Sequence, residues 1–382
     1  MNFSVVLIAR NEEHTLPKLM ESLKEFRERG GEIVIADTGS TDKTVEVAES
    51  YGCKVTKCGD KFVTTLDAKM AKEINDEFIV EGEDPIVKEG DRIFNFAEAR
   101  NFAATLASND MIATPDCDEF YTTLDLDRIE KEIEAGADQF EYPFTFARDK
   151  DGNSLIEFTH CKFYNRKKLE WRRVVHEILS GVGKKVFLPK EVIKLEHAQN
   201  EKTDRSGYMR GLAYDCFIDR DSDRNLHYFG RELFWSGRFK SAIRVFEKHI
   251  AMKKWAAERA QSWLYIGDCY KYLKDDENAV QSYFEAIKVD ASRREPMLKL
   301  AEFYKSKKDY LRTAIFAEAS LPILESNFYS NHQPNYREVP HCHLYWAYFY
   351  LGQKERAKEH FKKAEALNPK NPAIIHDKQF FS

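Results

Sequence analysis

Two carboxylates one residue apart, Asp116 and Asp118 flanking Cys117, are the sharpest chemical feature of the sequence. They follow the short apolar run 111–114. If the chain continues extended, alternate side chains share a face and both acids can meet one ligand. Oxygen donors of that kind suit a hard divalent cation, Mn²⁺ or Mg²⁺, which bridges carboxylate to diphosphate. Alone, such a doublet is more often an ordinary loop end. Its weight comes from the polar clusters that accompany it, each beside an apolar run. Ala9-Arg10-Asn11-Glu12-Glu13 comes first, then Asp37-Thr38-Gly39-Ser40-Thr41-Asp42. Phe96-Ala97-Glu98-Ala99-Arg100-Asn101 precedes the doublet; Phe163-Tyr164-Asn165-Arg166 and Val175-His176-Glu177 lie beyond it.

The elements that must position these residues follow a strand–helix alternation. Residues 3–9 form an apolar, β-branched run of strand length. Leu16, Leu19, Leu23 and Phe26 then recur at helical spacing, with Pro17 near the helix start and Gly30-Gly31 ending it. Residues 32–36 and 53–56 read as further strands around a helix stopped by Gly52. Successive βαβ units predict a parallel sheet with ligands at the strands' carboxyl ends. Residues 59–93 are irregular and charge-rich, and read as an insertion or lid with some helix. Residues 96–107 return to helix spacing. Residues 140–146 and 155–164 predict an antiparallel pair around the turn 149–153.

From about residue 226 helix periodicity dominates. A pattern of small and aromatic residues recurs four times at intervals of about 35 to 45 residues. Its copies are Gly230, Leu233, Gly237, Ala242, Phe246; Gly267, Tyr270, Lys274, Ala279, Tyr283; a weaker Ala301, Tyr304, Lys308, Thr313, Ala317; and Tyr345, Tyr348, Gly352, Ala357, Phe361. This resembles the tetratricopeptide repeat, a helix–turn–helix of about 34 residues. The expected organisation is a domain over 1–205, a linker helix over 206–225 and a helical repeat domain over 226–382.

The ordered motifs of residues 3–200 together resemble family 2 glycosyltransferases, which carry the α/β nucleotide-diphospho-sugar transferase (GT-A) fold. The similarity is to bacterial members with D-T-G-S-T-D, F-x-A-A-R-N, D-A-D-E and V-H-E segments, often fused to tetratricopeptide repeats. Here Pro115 and Cys117 depart from that pattern. The resemblance implies that Ala9, Arg10, Asn11 and Glu12 line the nucleotide pocket. It places Asp37 on the base or ribose, Arg100 on the base or phosphates, and Asp116 on the ribose or metal. Asp118 would bind Mn²⁺ or Mg²⁺, with His197 as a further metal ligand. His176 would pair with the diphosphate, hold the acceptor or merely pack. An inverting transfer needs one general base; Glu177 stands first and Glu119 second. A UDP-sugar is the default donor, and the acceptor a protein, peptide or glycan.

Composition sets the outer limits. The 382 residues carry a net charge of −5, which argues against nucleic acid as a partner. No run approaches the ~20 apolar residues of a transmembrane segment. With no signal-peptide pattern at the start, a soluble, cytoplasmic protein is expected. The seven cysteines show no C-x-x-C pair and read as reduced thiols. The repeats offer a surface for an acceptor or for a homodimer. The competing reading is a repeat scaffold with an inactive transferase domain.

Overall fold

The computed structural model describes residues 1–148, 154–198, 206–325 and 331–381. They form two compact units, one of residues 1–74 and 87–219, the other of residues 75–86 and 220–382. The expected turn 149–153 lies outside the described residues.

The first unit begins as the apolar runs require. β1 (Phe3–Ala9), α1 (Leu16–Ser22), α2 (Lys24–Glu28), β2 (Glu32–Asp37), α3 (Thr44–Ser50) and β3 (Lys54–Lys57) follow one another. The expected single helix through Phe26 is broken at Leu23, whose φ of −98° and ψ of 15° leave helical geometry. β1 pairs in parallel with β2, and β2 with β3. Because β1 is covered on both faces, its side chains divide by period two. Phe3, Val5, Leu7 and Ala9 pack with Leu16, Leu19 and Phe26, whereas Val6 packs with Ala97, Ala103 and Ile112.

The 59–93 stretch holds β4 (Val63–Thr65), α4 (Ala68–Phe78) and the start of β5 (Arg92–Phe94). β4 and β5 pair antiparallel. Residues 75–86 belong to the second unit. α5 (Phe96–Thr105) starts where Asn95 accepts a hydrogen bond from the Glu98 N–H at 3.0 Å, an N-cap that fixes the helix phase. Its small Ala97, Ala103 and Ala104 lie flat on the sheet, and Arg100 is buried with them.

β6 (Met111–Ala113) pairs parallel to β1. β7 (Glu119–Leu124) and α6 (Leu126–Glu134) were not legible as elements in the sequence. Asp125 caps α6 by accepting from the Arg128 N–H at 3.0 Å. β8 (Gln139–Arg148) and β9 (Ser154–Asn165) form the expected antiparallel pair, and β9 joins β6 antiparallel. β10 (Leu169–Arg172) and β11 (Ile178–Gly181) make a separate two-stranded sheet. β12 (Lys185–Phe187) pairs with β8, and β13 (Ile193–His197) lies between β8 and β7. The large sheet is therefore mixed, in the order β3-β2-β1-β6-β9-β8-β13-β7.

The expected 206–225 linker helix resolves into two elements. α7 (Ser206–Ile218) packs in the first unit, and α8 (Asp223–Trp235) opens the second. After α8 come α9 (Phe239–Ala251), α10 (Ala256–Tyr272), α11 (Asp276–Val289), α12 (Glu295–Ser306), α13 (Tyr310–Ser320), α14 (Val339–Tyr350), α15 (Lys354–Leu367) and α16 (Pro372–Phe381). Each of the four sequence copies is a helix pair, α8–α9 through α14–α15. The small residues explain the close approach: a Cβ on Gly230 would stand 2.5 Å from a ring carbon of Phe246, and one on Gly267 would strike Tyr283.

Candidate active site

Two polar loops at the carboxyl ends of β1 and β2 are stitched together by short hydrogen bonds. The Asn11 N–H donates to Ser40 Oγ at 3.0 Å, and Asn11 Oδ1 accepts from the Thr41 N–H at 2.8 Å. The Glu12 N–H donates to Thr44 Oγ1 at 2.6 Å, and the Lys43 N–H to Glu13 Oε2 at 2.9 Å. The Asp37 carboxylate is buried and accepts from the Ser40 N–H at 3.1 Å. Asn11 has a φ of 58°, a left-handed conformation that asparagine tolerates better than most residues. Thus Asn11 and Asp37 build the loops, while Ala9, Arg10, Glu12 and Thr38 face the cavity beside them.

That cavity encloses about 600 Å³. Arg100, Asp116, Asp118, His176 and Glu177 also line it, together with Phe94, Phe96 and Tyr208. The structure thereby brings together eight of the residues singled out from sequence. Glu119 and His197 stand behind the lining, and each touches it through a neighbour.

Residues 116–119 correct one expectation. They form a turn, closed by the Glu119 N–H donating to Asp116 O at 3.0 Å, and not an extended run. The two acids therefore meet different partners. Asp116 accepts from the Arg100 guanidinium and the Lys162 ammonium. Asp118 Oδ2 lies 3.1 Å from His197 Nε2. The expected set of Asp116, Asp118 and His197 is thus split, and no cluster of three such metal-ligating side chains is gathered among the described residues.

Behind Asp116 lies a buried ion cluster. Lys162 Nζ donates to Glu119 Oε1 at 2.7 Å, and Arg100 Nε to Glu177 Oε1 at 2.7 Å. Burial alone would raise the Asp116 carboxyl, but Arg100 and Lys162 overcome it and hold it far below the usual range. Glu119 shifts the other way. Its burial, reinforced by the Asp116 charge, outweighs Lys162 and pushes the carboxyl up. The 2.7 Å ion pair by itself would suggest the opposite sign, but one ammonium is here shared between two carboxylates. Glu12 is likewise raised, first by burial and then by its acidic neighbours Asp118, Asp116 and Asp42. Lys162 was missed in the sequence. Its signal was strand alternation, which puts it on the same inward side of β9 as Tyr164.

The 173–177 loop holds two non-glycine residues in left-handed backbone. Arg173 has a φ of 88° and His176 a φ of 52°. Such residues persist where their surroundings over-determine them. Here α7 and the residue that follows it supply the restraint: buried Asp215 accepts from the Val174 N–H at 2.6 Å, and Asp219 pairs with Arg173. The Tyr208 ring meets His176 edge-on at 5.1 Å.

Comparison with known proteins agrees with this division. Residues 4–62 match Glycosyl transferase family 2, and residues 260–293 and 346–371 match the Tetratricopeptide repeat. An α/β region with a mixed sheet thus carries a glycosyltransferase match at its start, and helix pairs carry the repeat matches. Among curated proteins, the 4,4'-diaponeurosporenoate glycosyltransferase of Staphylococcus haemolyticus (strain JCSC1435) is 44% identical over 54 residues, 14% of this chain. The chain spans 14% of the length of that relative. Among solved structures, the MamA protein is 18% identical with a TM-score of 0.35, over 43% of this chain and 82% of its own. YrrB, described as a TPR protein with an unusual peptide-binding site, is 14% identical with a TM-score of 0.35, over 46% of this chain and 82% of its own. Among the described residues no helix is long and apolar enough to cross a membrane.

Proposed function

We propose that the first unit is a metal-dependent, inverting glycosyltransferase that takes its sugar from a nucleotide-diphospho-sugar, with a UDP-sugar as the default donor. The observation that carries the proposal is the convergence of Arg10, Glu12, Arg100, Asp116, Asp118 and Glu177 on one cavity beside the loops of the family 2 match. Four carboxylates outnumber two guanidiniums there, which is poor company for a diphosphate without a cation.

The donor atoms of Asp118 and His197, 3.1 Å apart, fit such a cation. A carboxylate oxygen and an imidazole nitrogen are donors that Mn²⁺ or Mg²⁺ accepts. Held by Asp118 and His197, such an ion would offset the charge of the departing diphosphate. The chain supplies the rest. Ala9, Arg10, Glu12 and Thr38 line the side that takes the nucleotide. Arg100, fixed by Asp116 and Glu177, presents a cation that cannot lose its proton. Glu177, in the cavity wall, receives the acceptor hydroxyl's proton as the new carbon–oxygen bond forms and the bond to the diphosphate breaks. Glu119 is buried against Lys162 and serves to hold Asp116 in place. The repeat unit offers a surface for a protein, peptide or glycan acceptor, or for a second copy.

The test is a panel of UDP-, GDP-, dTDP- and CMP-sugars, read by thermal shift and nucleotide release with Mn²⁺ or EDTA. One donor should raise the melting temperature only with metal. Asp118→Ala should abolish that shift and cut nucleotide release about 10²-fold or more. Glu177→Gln should keep the shift and lose transfer. A folded protein that binds none of the four donors would sink the proposal.

A further inference from the structure

The cavity is lined by two sets of side chains of different chemistry. Ile8, Ala9, Arg10, Glu12 and Thr38 come from the segment that carries the family 2 match. Phe94, Phe96, Val175 and Tyr208, with His176 and Glu177 among them, come from β5, α5, the 173–177 loop and α7, outside the matched residues. Phe94 and Phe96 meet edge to face, with ring centres 4.8 Å apart and planes at 82°. Phe96 remains 39% exposed, although it sits beside the buried Ala97 and Arg100. His176 and Tyr208 make a second such corner, at 85°.

We propose that this aromatic half, Phe94, Phe96 and Tyr208 beside Glu177, seats the acceptor, and that the acceptor is a glycoside. The inference rests on the transferase reading above. An aromatic face is negative at its centre. The axial C–H bonds of a pyranose form an apolar patch of opposite polarity, and its hydroxyls leave the ring edge toward polar groups. His176, Glu177 and Arg100 are polar groups at the margin of these rings. A purely apolar chain carries no hydroxyl to present to Glu177.

A peptide acceptor fits less well. Extended peptides gain much of their affinity from free main-chain groups at an edge. Three such N–H groups at this margin are already spent. The Phe96 N–H donates to Val174 O at 3.0 Å, the Asn95 N–H to Phe62 O at 2.9 Å, and the Val174 N–H to Asp215.

The experiment is saturation-transfer NMR on the full chain with UDP and Mn²⁺. The probes are methyl and phenyl glycosides of glucose, galactose, mannose and N-acetylglucosamine, and a Ser/Thr peptide. At least one glycoside should receive saturation, strongest on the protons of one ring face. Phe94→Leu and Phe96→Leu keep apolar bulk but remove the π face; each should raise the half-saturating glycoside concentration at least tenfold. Phe187→Leu, on the exposed strand β12, should not. Saturation of the peptide alone, of no glycoside, or of glycosides with equal strength in the Leu variants would each overturn the inference. Failure of the donor panel would instead remove the transferase reading beneath it.

Discussion

Lys162 is the residue whose removal distinguishes a designed ion cluster from incidental charge. Its side chain is 7% exposed and serves both Asp116 and Glu119. Lys162→Met fills the volume but strands the buried Glu119 carboxylate and leaves Asp116 to Arg100 alone, which costs about 3–5 kcal/mol by analogy with broken buried pairs. Adding Glu119→Gln removes the stranded charge. The double variant should therefore recover part of the loss, a coupling that urea denaturation of all three proteins would measure. If the double variant is no more stable than Lys162→Met, the two side chains are not coupled. The motif acids were legible in the sequence because their identity alone suggests chemistry. Their partners were not: Lys162 reaches Asp116 only because β9 crosses back to β6. No local pattern records that pairing.

At the scale of elements, the repeats show how far local rules carry. The position after the first helix of each pair is Gly237, Lys274, Lys308 or Gly352, and all four have left-handed φ, between 60° and 78°. Glycine takes that conformation without penalty, whereas a side chain costs about 1 kcal/mol or more. Lys274→Gly and Lys308→Gly should each raise stability by roughly 0.5–1 kcal/mol in chemical denaturation, and a loss would show that the lysine side chains matter more than the backbone. The repeats were readable because their helices, turns and small residues are all set within one period. β1, β2 and α5 were readable for a similar reason, being runs whose burial and caps are local. β7 was not, since Glu119–Leu124 is a strand only through its pairing with β13. The turn at 116–119 likewise defeats a reading that assumes extended chain.

For the whole molecule, buried histidines tie stability to pH. The second unit buries His227 and His249, each 1% exposed, and both rings meet Ser262 Oγ, at 2.8 and 2.9 Å. Burial depresses His227 well below its ordinary value, aided by His249, Arg231, Arg224 and Arg293. His249 is lowered to about 4, by burial and by Arg259 against the pull of Asp223. Both are neutral when folded, whereas the unfolded chain takes up protons near pH 6.5. Their contribution is complete above about pH 6.5 and is lost as pH falls toward 4. Each steepens the decline by at most ~1.4 kcal/mol per pH unit. The urea midpoint of the helical signal should fall across that window, and a flat profile would contradict it.

The partition of the chain has its own consequence. Residues 75–86 leave the first unit, pack on the opening helix pair, and return. There Phe78 meets Phe229 edge-on, the Val80 N–H donates to Ser241 Oγ at 2.9 Å, and Glu77 pairs with Lys248. A stack of repeats needs its exposed end covered, and that cover is encoded some 140 codons upstream, within the stretch that encodes the first unit. A recombination event that copied only residues 220–382 into another gene would deliver repeats with an open end. The two units are each compact but form a single unit of inheritance.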